Sequence, residues 1–195
     1  MTIFILRHGQ TELNIQNRRQ GQADSELTDK GVEQAISCAE HLRSVLEKYA
    51  DPKLISSPVK CARTTASIIA KTLSLGDKSY SIANELTAPS YGLWETLNDA
   101  EIDKQFPGQR LKRLQNCWSY QIPGGETYEA LHQRVDAWLK TYRRSETFII
   151  VTHQAVSRAL IGRYLKLSTI DTSKTQHPHD MIYLLKRQKM SVLNV

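Results

Sequence analysis

The chain has few cysteines, no long apolar run and no metal-knuckle spacing or carboxylate cluster. Each absence narrows what it can be. Its 3 cysteines, Cys38, Cys61 and Cys117, are odd in number and lie far from any metal-knuckle spacing. A disulfide framework does not fit, so a reducing, cytoplasmic setting is the expectation. Cys38 and Cys61 fall in helix-like stretches and read as small buried apolar groups. The N-terminus lacks a basic segment followed by a signal-like apolar core, and no apolar run could span a bilayer. Internal repeats, low-complexity tracts and linkers are missing too. No carboxylate cluster suits a metal. His177 and His179 flank Pro178, but no third ligand stands with them, so neither a metal nor another cofactor is expected.

What remains is a chain of 195 residues, 40% hydrophobic and 24% charged, the size and balance of one globular domain. Its formal net charge of +6 and pI near 9.2 fit nucleic acid, a membrane surface or a small anion. The basic residues come in short groups, such as Arg18-Arg19, Arg110 to Arg113 and Lys186 to Lys189. There is no long basic run and no RNA-binding aromatic motif. A small anionic partner is therefore expected, and neither nucleic acid nor membrane. The oligomeric state, a homodimer included, is not legible.

Thr2 to Leu6 form an apolar, β-favouring run that leads into Arg7, His8 and Gly9, as a buried strand with a charged pair at its C-terminal end. Residues 14–27 are polar, contain Gly21 and read as a loop. Thr28 is set to cap a helix on which Val32, Ala35, Ala39, Leu42 and Leu46 recur at helical spacing. Lys53 to Ser56 is a short strand. Ser57-Pro58 is expected to start the next helix, with Ser57 as its cap. Residues 79–83 suggest a third strand, and 84–125 a small cap-like insertion in a single domain spanning 1–195. Phe148 to Thr152 is the clearest buried strand, with His153 at its end and a helix after it. Met181 to Leu185 is a last strand, with 191–195 as a hairpin partner. This alternation predicts an α/β fold, a three-layer sandwich with a mostly parallel central sheet and helices on both faces.

Two strands thus end in histidine, and open α/β sheets bind ligands beyond the carboxyl ends of their strands. If those strands are neighbours, His8 and His153 meet there, joined by Arg7, by Arg63 and by the N-terminus of the helix after Ser57. An imidazole that attacks phosphorus, with arginines on the equatorial oxygens, is a metal-free phosphoryl-transfer site.

Five motifs carry a resemblance over nearly the whole chain. They are Arg7-His8-Gly9-Gln10-Thr11 with Asn14, Ser56-Ser57-Pro58 with Arg63-Thr64-Thr65-Ala66, Tyr91-Gly92-Leu93-Trp94-Glu95, Gly124-Gly125-Glu126-Thr127 and Val151-Thr152-His153-Gln154-Ala155-Val156. In this order they resemble the histidine phosphatase superfamily, also called phosphoglycerate mutase-like. His153 to Val156 with Arg158 is similar to its fructose-2,6-bisphosphatase branch. The resemblance implies a phosphatase that phosphorylates His8 on Nε2 while a backbone carbonyl holds the Nδ1 proton. It places the transferring phosphoryl group against Arg7, Arg63 and His153. Asn14, Gly21, Gln22, Glu126 and Gln154 lie toward the substrate, which is expected to be a small phosphorylated metabolite. From charge alone, Arg110, Lys112 and Arg113 are candidates for a second anionic group. The family's usual general-acid glutamate falls at Ala88 in this chain. Glu85 is the nearest substitute, at an odd offset that points it to the other face of a strand. A mutase-type phosphotransferase and a non-catalytic phospholigand-binding protein are the rival expectations.

Overall fold

The computed structural model describes residues 1–49, 51–76, 79–143 and 145–195. Six strands form one sheet: β1 (Thr2–Arg7), β2 (Lys53–Ser56), β3 (Tyr80–Ile82), β4 (Thr147–Thr152), β5 (Met181–Lys186) and β6 (Lys189–Asn194). Their spatial order is β3-β2-β4-β1-β5-β6. β3, β2, β4 and β1 run parallel, while β5 and β6 add an antiparallel edge. The final hairpin turns through Arg187 and Gln188, both at positive φ, as a tight two-residue hairpin requires.

The parallel strands are apolar on both faces because helices cover both. Ile3, Ile5, Phe148 and Ile150 point to one side, against α6 (Tyr128–Leu139) and α7 (Gln154–Leu165). Phe4, Leu6, Ile149 and Val151 point to the other, against α2 (Asp29–Leu46) and α3 (Lys60–Thr72). Burying one such side chain contributes roughly 1.5–3 kcal/mol, against roughly 0–1 kcal/mol for an exposed ion pair. The strand ends are therefore held in place by the core and not by the surface charges. A third, smaller cluster of Trp94, Ile102 and Ile122 packs within the segment expected as a cap. That segment carries α4 (Asp99–Gln105) and α5 (Gln109–Gln115).

The β1 end and α2 meet backbone to backbone. A Cβ on Gly9 would lie 2.2 Å from the Gly31 carbonyl oxygen, and one on Gly31 would lie 2.1 Å from that of Gln10. Thr28 caps α2 as expected, accepting from the Gly31 amide at 3.0 Å.

Three local expectations change. The chain after His8 is not all loop: Thr11 caps the one-turn helix α1 (Glu12–Ile15) in a reciprocal capping box with Asn14. Ser57 does not cap α3, whose N-cap is Val59. The Ser57 amide still extends the β2–β4 ladder, donating to the Val151 carbonyl at 3.0 Å, and its hydroxyl is engaged elsewhere. A further helix, α8 (Thr169–Lys174), capped by Ser168, follows α7.

Candidate active site

Three adjacent strand ends build the site. β4 lies between β1 and β2, so His153 is central, with His8 on one side and Ser57 on the other. The His8 amide donates to the Thr152 carbonyl at 2.9 Å, which extends the β1–β4 ladder by one residue. The two imidazoles are both buried, with centroids 5.1 Å apart.

Hydrogen bonds fix how each ring faces. His8 Nδ1–H donates to the Gly9 carbonyl at 2.8 Å, which leaves Nε2 with its lone pair. His153 Nε2 lies 2.8 Å from Ser57 Oγ, and its Nδ1 is buried without a protein partner. Arg7 Nη1 donates to the His177 carbonyl at 3.1 Å, while its buried Nε also lacks a partner. His177 and His179 buttress these groups. His179 Nδ1–H donates to the His8 carbonyl at 2.6 Å, and its ring packs 5.4 Å from the His8 ring. His177 Nε2–H donates to the Met181 carbonyl at 3.0 Å, so its Nδ1 accepts from the Ser157 hydroxyl at 2.8 Å.

Burial sets the protonation states. It is the largest cause holding the His8 pKa well below the ordinary 6.5, with His153, Arg7 and His179 adding to it. His153 is pushed down to about 3, mainly by burial and next by Arg7. Both rings are therefore neutral at neutral pH, as a nucleophile requires. Arg7 is lowered by burial to about 10 and keeps its charge.

The cavity in front of these groups measures about 140 Å³. Asn14, Gln20 and Gln154 bring amides to its wall, Arg18 and Arg19 bring charge, and Ala88 and Tyr91 close another side. Asn14 is held by Gln20, to whose Oε1 it donates at 3.2 Å. A larger hollow of about 660 Å³, lined by Met1, Tyr164 and Arg187, lies at the opposite end of the strands and has no histidine in its wall.

Other expected residues fall outside this cavity. Arg63 is exposed on α3 and does not line it. Helical periodicity gives the reason: Cys61 and Thr65, four residues apart, form the buried face, which turns Arg63 outward. Thr65 Oγ1 accepts from the Gly9 amide at 3.0 Å, and one nitrogen of each of His8 and His153 lies within 4.8 Å of Cys61 Sγ. Glu85 is exposed and contributes only its carbonyl, to Arg134. Glu126 forms a two-pronged ion pair with Arg134, at 2.7 and 2.8 Å. The Gly21 and Gln22 amides donate to the Glu95 carboxylate at 3.0 and 3.1 Å, and Tyr91 donates to it at 2.9 Å. Gly21, Gln22, Glu95 and Glu126 hold the wall and do not line it. No carboxylate lines the histidine cavity among the described residues.

Arg18, Arg19, Gln20, Cys61, Tyr91 and Arg134 were not picked out as site residues from sequence. The Arg18-Arg19 pair was visible as charge, but only the fold places it on the rim.

Residues 3–192 match the family model of the histidine phosphatase superfamily, branch 1. The chain belongs to the histidine phosphatase superfamily. It is 31% identical over 168 residues to 6-phosphofructo-2-kinase/fructose-2,6-bisphosphatase 1 of Mus musculus, covering 86% of this chain and 33% of the relative. The human protein of the same name is likewise 31% identical, again over 86% of this chain and 33% of the relative. The chain thus spans about a third of the length of these relatives. Among solved structures, the α-ribazole phosphatase of Shigella flexneri superposes with a TM-score of 0.79 at 23% identity, covering 100% and 96% of the two chains. A mycobacterial glucosyl-3-phosphoglycerate phosphatase superposes with a TM-score of 0.79 at 24% identity, covering 99% and 96%. At that identity the two structures establish the superfamily's fold. The site arrangement rests on this chain's own geometry.

Proposed function

We propose that the chain is a metal-independent phosphatase that hydrolyses a small phosphomonoester through a phosphohistidine on His8. One observation carries this reading. Neutral His8 lines one cavity with Arg7 and His153, and each of these two carries a buried polar atom without a protein partner, Arg7 Nε and His153 Nδ1. Oxygens of a phosphoryl group satisfy both. His8 Nε2 attacks phosphorus, the P–N bond forms and the P–O bond to the leaving group breaks. A water oxygen then attacks phosphorus, the P–N bond breaks and inorganic phosphate leaves. Arg7 stabilises the charge on the phosphoryl oxygens in both steps.

The leaving-group side lacks a carboxylic acid, since Ala88 contributes only a methyl group and a carbonyl that accepts from Gln22 Nε2 at 3.4 Å. Substrates whose leaving group departs without protonation, such as aryl and acyl phosphates, suit this site best. A neighbouring cavity of about 350 Å³ is lined by Arg19, Arg110, Arg113, Tyr128 and Arg158. Arg19 and Arg110 share Asp99. Arg158 instead donates to the Thr175 carbonyl and, at 3.2 Å, to the Tyr128 hydroxyl, and Arg113 stacks on Tyr91 and Tyr128. This surplus of positive charge supports a substrate with a second anionic group. The free cysteines fit a cytoplasmic setting.

The same absence of an acid favours a second reading, a phospholigand-binding protein with little turnover. Steady-state hydrolysis of p-nitrophenyl phosphate, with and without EDTA, separates the two. Turnover unchanged by EDTA supports the phosphatase. Saturable phosphate binding without turnover supports the binding protein, and turnover abolished by EDTA overturns the metal-free mechanism.

A further inference from the structure

The buried ligand set at the reaction centre has a second chemistry. One nitrogen of each of His8 and His153, together with Cys61 Sγ, lie within 4.8 Å of one another, and all three residues are buried. Their hydrogen bonds set which atoms are open. Gly9 takes Nδ1 of His8 and leaves Nε2, while Ser57 takes Nε2 of His153 and leaves Nδ1 without a partner. The Ser57 hydroxyl can donate or accept. Donating, it leaves His153 Nδ1 as an N–H for an oxyanion. Accepting, it leaves Nδ1 as a lone pair for a metal. Cys61 lies in the first turn of α3, and Gln20 Nε2 approaches its sulfur at 3.6 Å. Burial pushes the Cys61 thiol up to about 12, so it stays a neutral S–H in the free protein and loses its proton on binding a metal, with the helix N-terminus and the Gln20 amide placed to hold the thiolate then formed.

We propose that His8, Cys61 and His153 form a soft-metal site that takes Zn²⁺ and thereby blocks phosphoryl transfer. Two imidazoles and a thiolate select zinc over magnesium or calcium, which need oxygen ligands. Three protein ligands leave the fourth tetrahedral position open. Bond lengths of about 2.0–2.3 Å require ligand atoms about 3.3–3.6 Å apart, so the trio closes by roughly 1 Å on binding. Arg7 opposes a cation here, and the thiolate charge offsets it. Binding is balanced by one proton: the Cys61 S–H is released as the S–Zn bond forms. Zinc then occupies the lone pair with which His8 attacks phosphorus. The inhibition rests on the phosphatase reading; the binding does not.

The test uses Co²⁺ as a spectroscopic probe and Zn²⁺ as its competitor, on the full chain. One equivalent of Co²⁺ gives a near-ultraviolet thiolate-to-cobalt charge-transfer band, which Zn²⁺ abolishes and excess Mg²⁺ does not. In Cys61→Ser the band disappears and Zn²⁺ binds more than about 100-fold more weakly, beyond the loss expected for an outer-shell partner. In Cys38→Ser the band remains. Nitrogen-15 NMR of the wild-type imidazoles, which needs no variant to fold, shows Zn²⁺ shifting Nε2 of His8 and Nδ1 of His153. No band in the wild type, a band that survives Cys61→Ser, or imidazole shifts confined to other histidines overturns the site. A band with normal turnover in saturating Zn²⁺ overturns the block alone. A band in a protein without turnover upholds the site and counts only against the phosphatase reading.

Discussion

The two sides of the histidine cavity are built very differently. On the phosphoryl side, every polar group is fixed by a strand end or a backbone carbonyl: His8 by Gly9, His153 by Ser57, Arg7 by His177. On the leaving-group side the wall is Ala88, Pro89 and Tyr91, and the carboxylates nearby face away to hold loops. On the proposed function, the first side is where the P–N bond forms. The second offers no carboxylic acid for the alkoxide released as that bond forms. Chemistry that needs only the first side should therefore outrun chemistry that needs both.

Restoring the missing acid is the sharpest way to test this contrast. Ala88→Glu should raise kcat/KM for alkyl phosphates by about 10²-fold or more while changing aryl phosphates much less, since general acid catalysis is worth ~10²–10⁴-fold. Equal gains on both substrate types would break the comparison. The neighbouring basic cavity gives a smaller effect. Arg113→Ala with Arg158→Ala should raise KM about 10-fold for a bisphosphorylated substrate and leave p-nitrophenyl phosphate unaffected, as expected for loss of about 1.4 kcal/mol of ground-state binding.

The pH profile tests the phosphoryl side by itself. His8 must be neutral to attack, and burial holds its pKa well below 6.5. Neutral His8 is lost only as pH falls through that lowered value. The acid limb of kcat/KM should therefore lie well below 6.5, and a limb at or above it would contradict the burial argument. The smallest effect belongs to Arg63. Arg63→Ala should change kcat/KM by less than about 2-fold, because an exposed charge outside the cavity contributes little. A large loss would return Arg63 to the site.

Much of this was legible in the sequence because it depends on local periodicity. The Thr2 and Phe148 strands announce themselves as apolar runs, and each ends in histidine. Parallel pairing of neighbours then brings the two rings together. Ala88 was readable as well, through the family resemblance, which implies a general-acid glutamate four residues before Gly92. What failed depended on fine phase. Arg63 lies two residues from Cys61, and on a helix that step turns a side chain from the core to solvent. No charge pattern marks Cys61 as facing two histidines. Its apolar character predicted burial correctly, without saying against what. Glu95 and Glu126 carry motif positions, but their roles lie chiefly in partners that the motifs themselves do not contain. The loop at Gly21 and the guanidinium of Arg134 sit 74 and 8 residues away, respectively. His177 and His179 flank a proline in sequence and in the fold support Arg7 and His8 through one carbonyl each way.

The central claim is that His8 Nε2 accepts the phosphoryl group. The most direct measurement is to quench the protein during turnover of an aryl phosphate in alkali and map the modified peptide by mass spectrometry. The account predicts an acid-labile, alkali-stable phosphate on His8 that vanishes in His8→Ala together with turnover. A phosphate on another residue, or one that persists in His8→Ala, would contradict it.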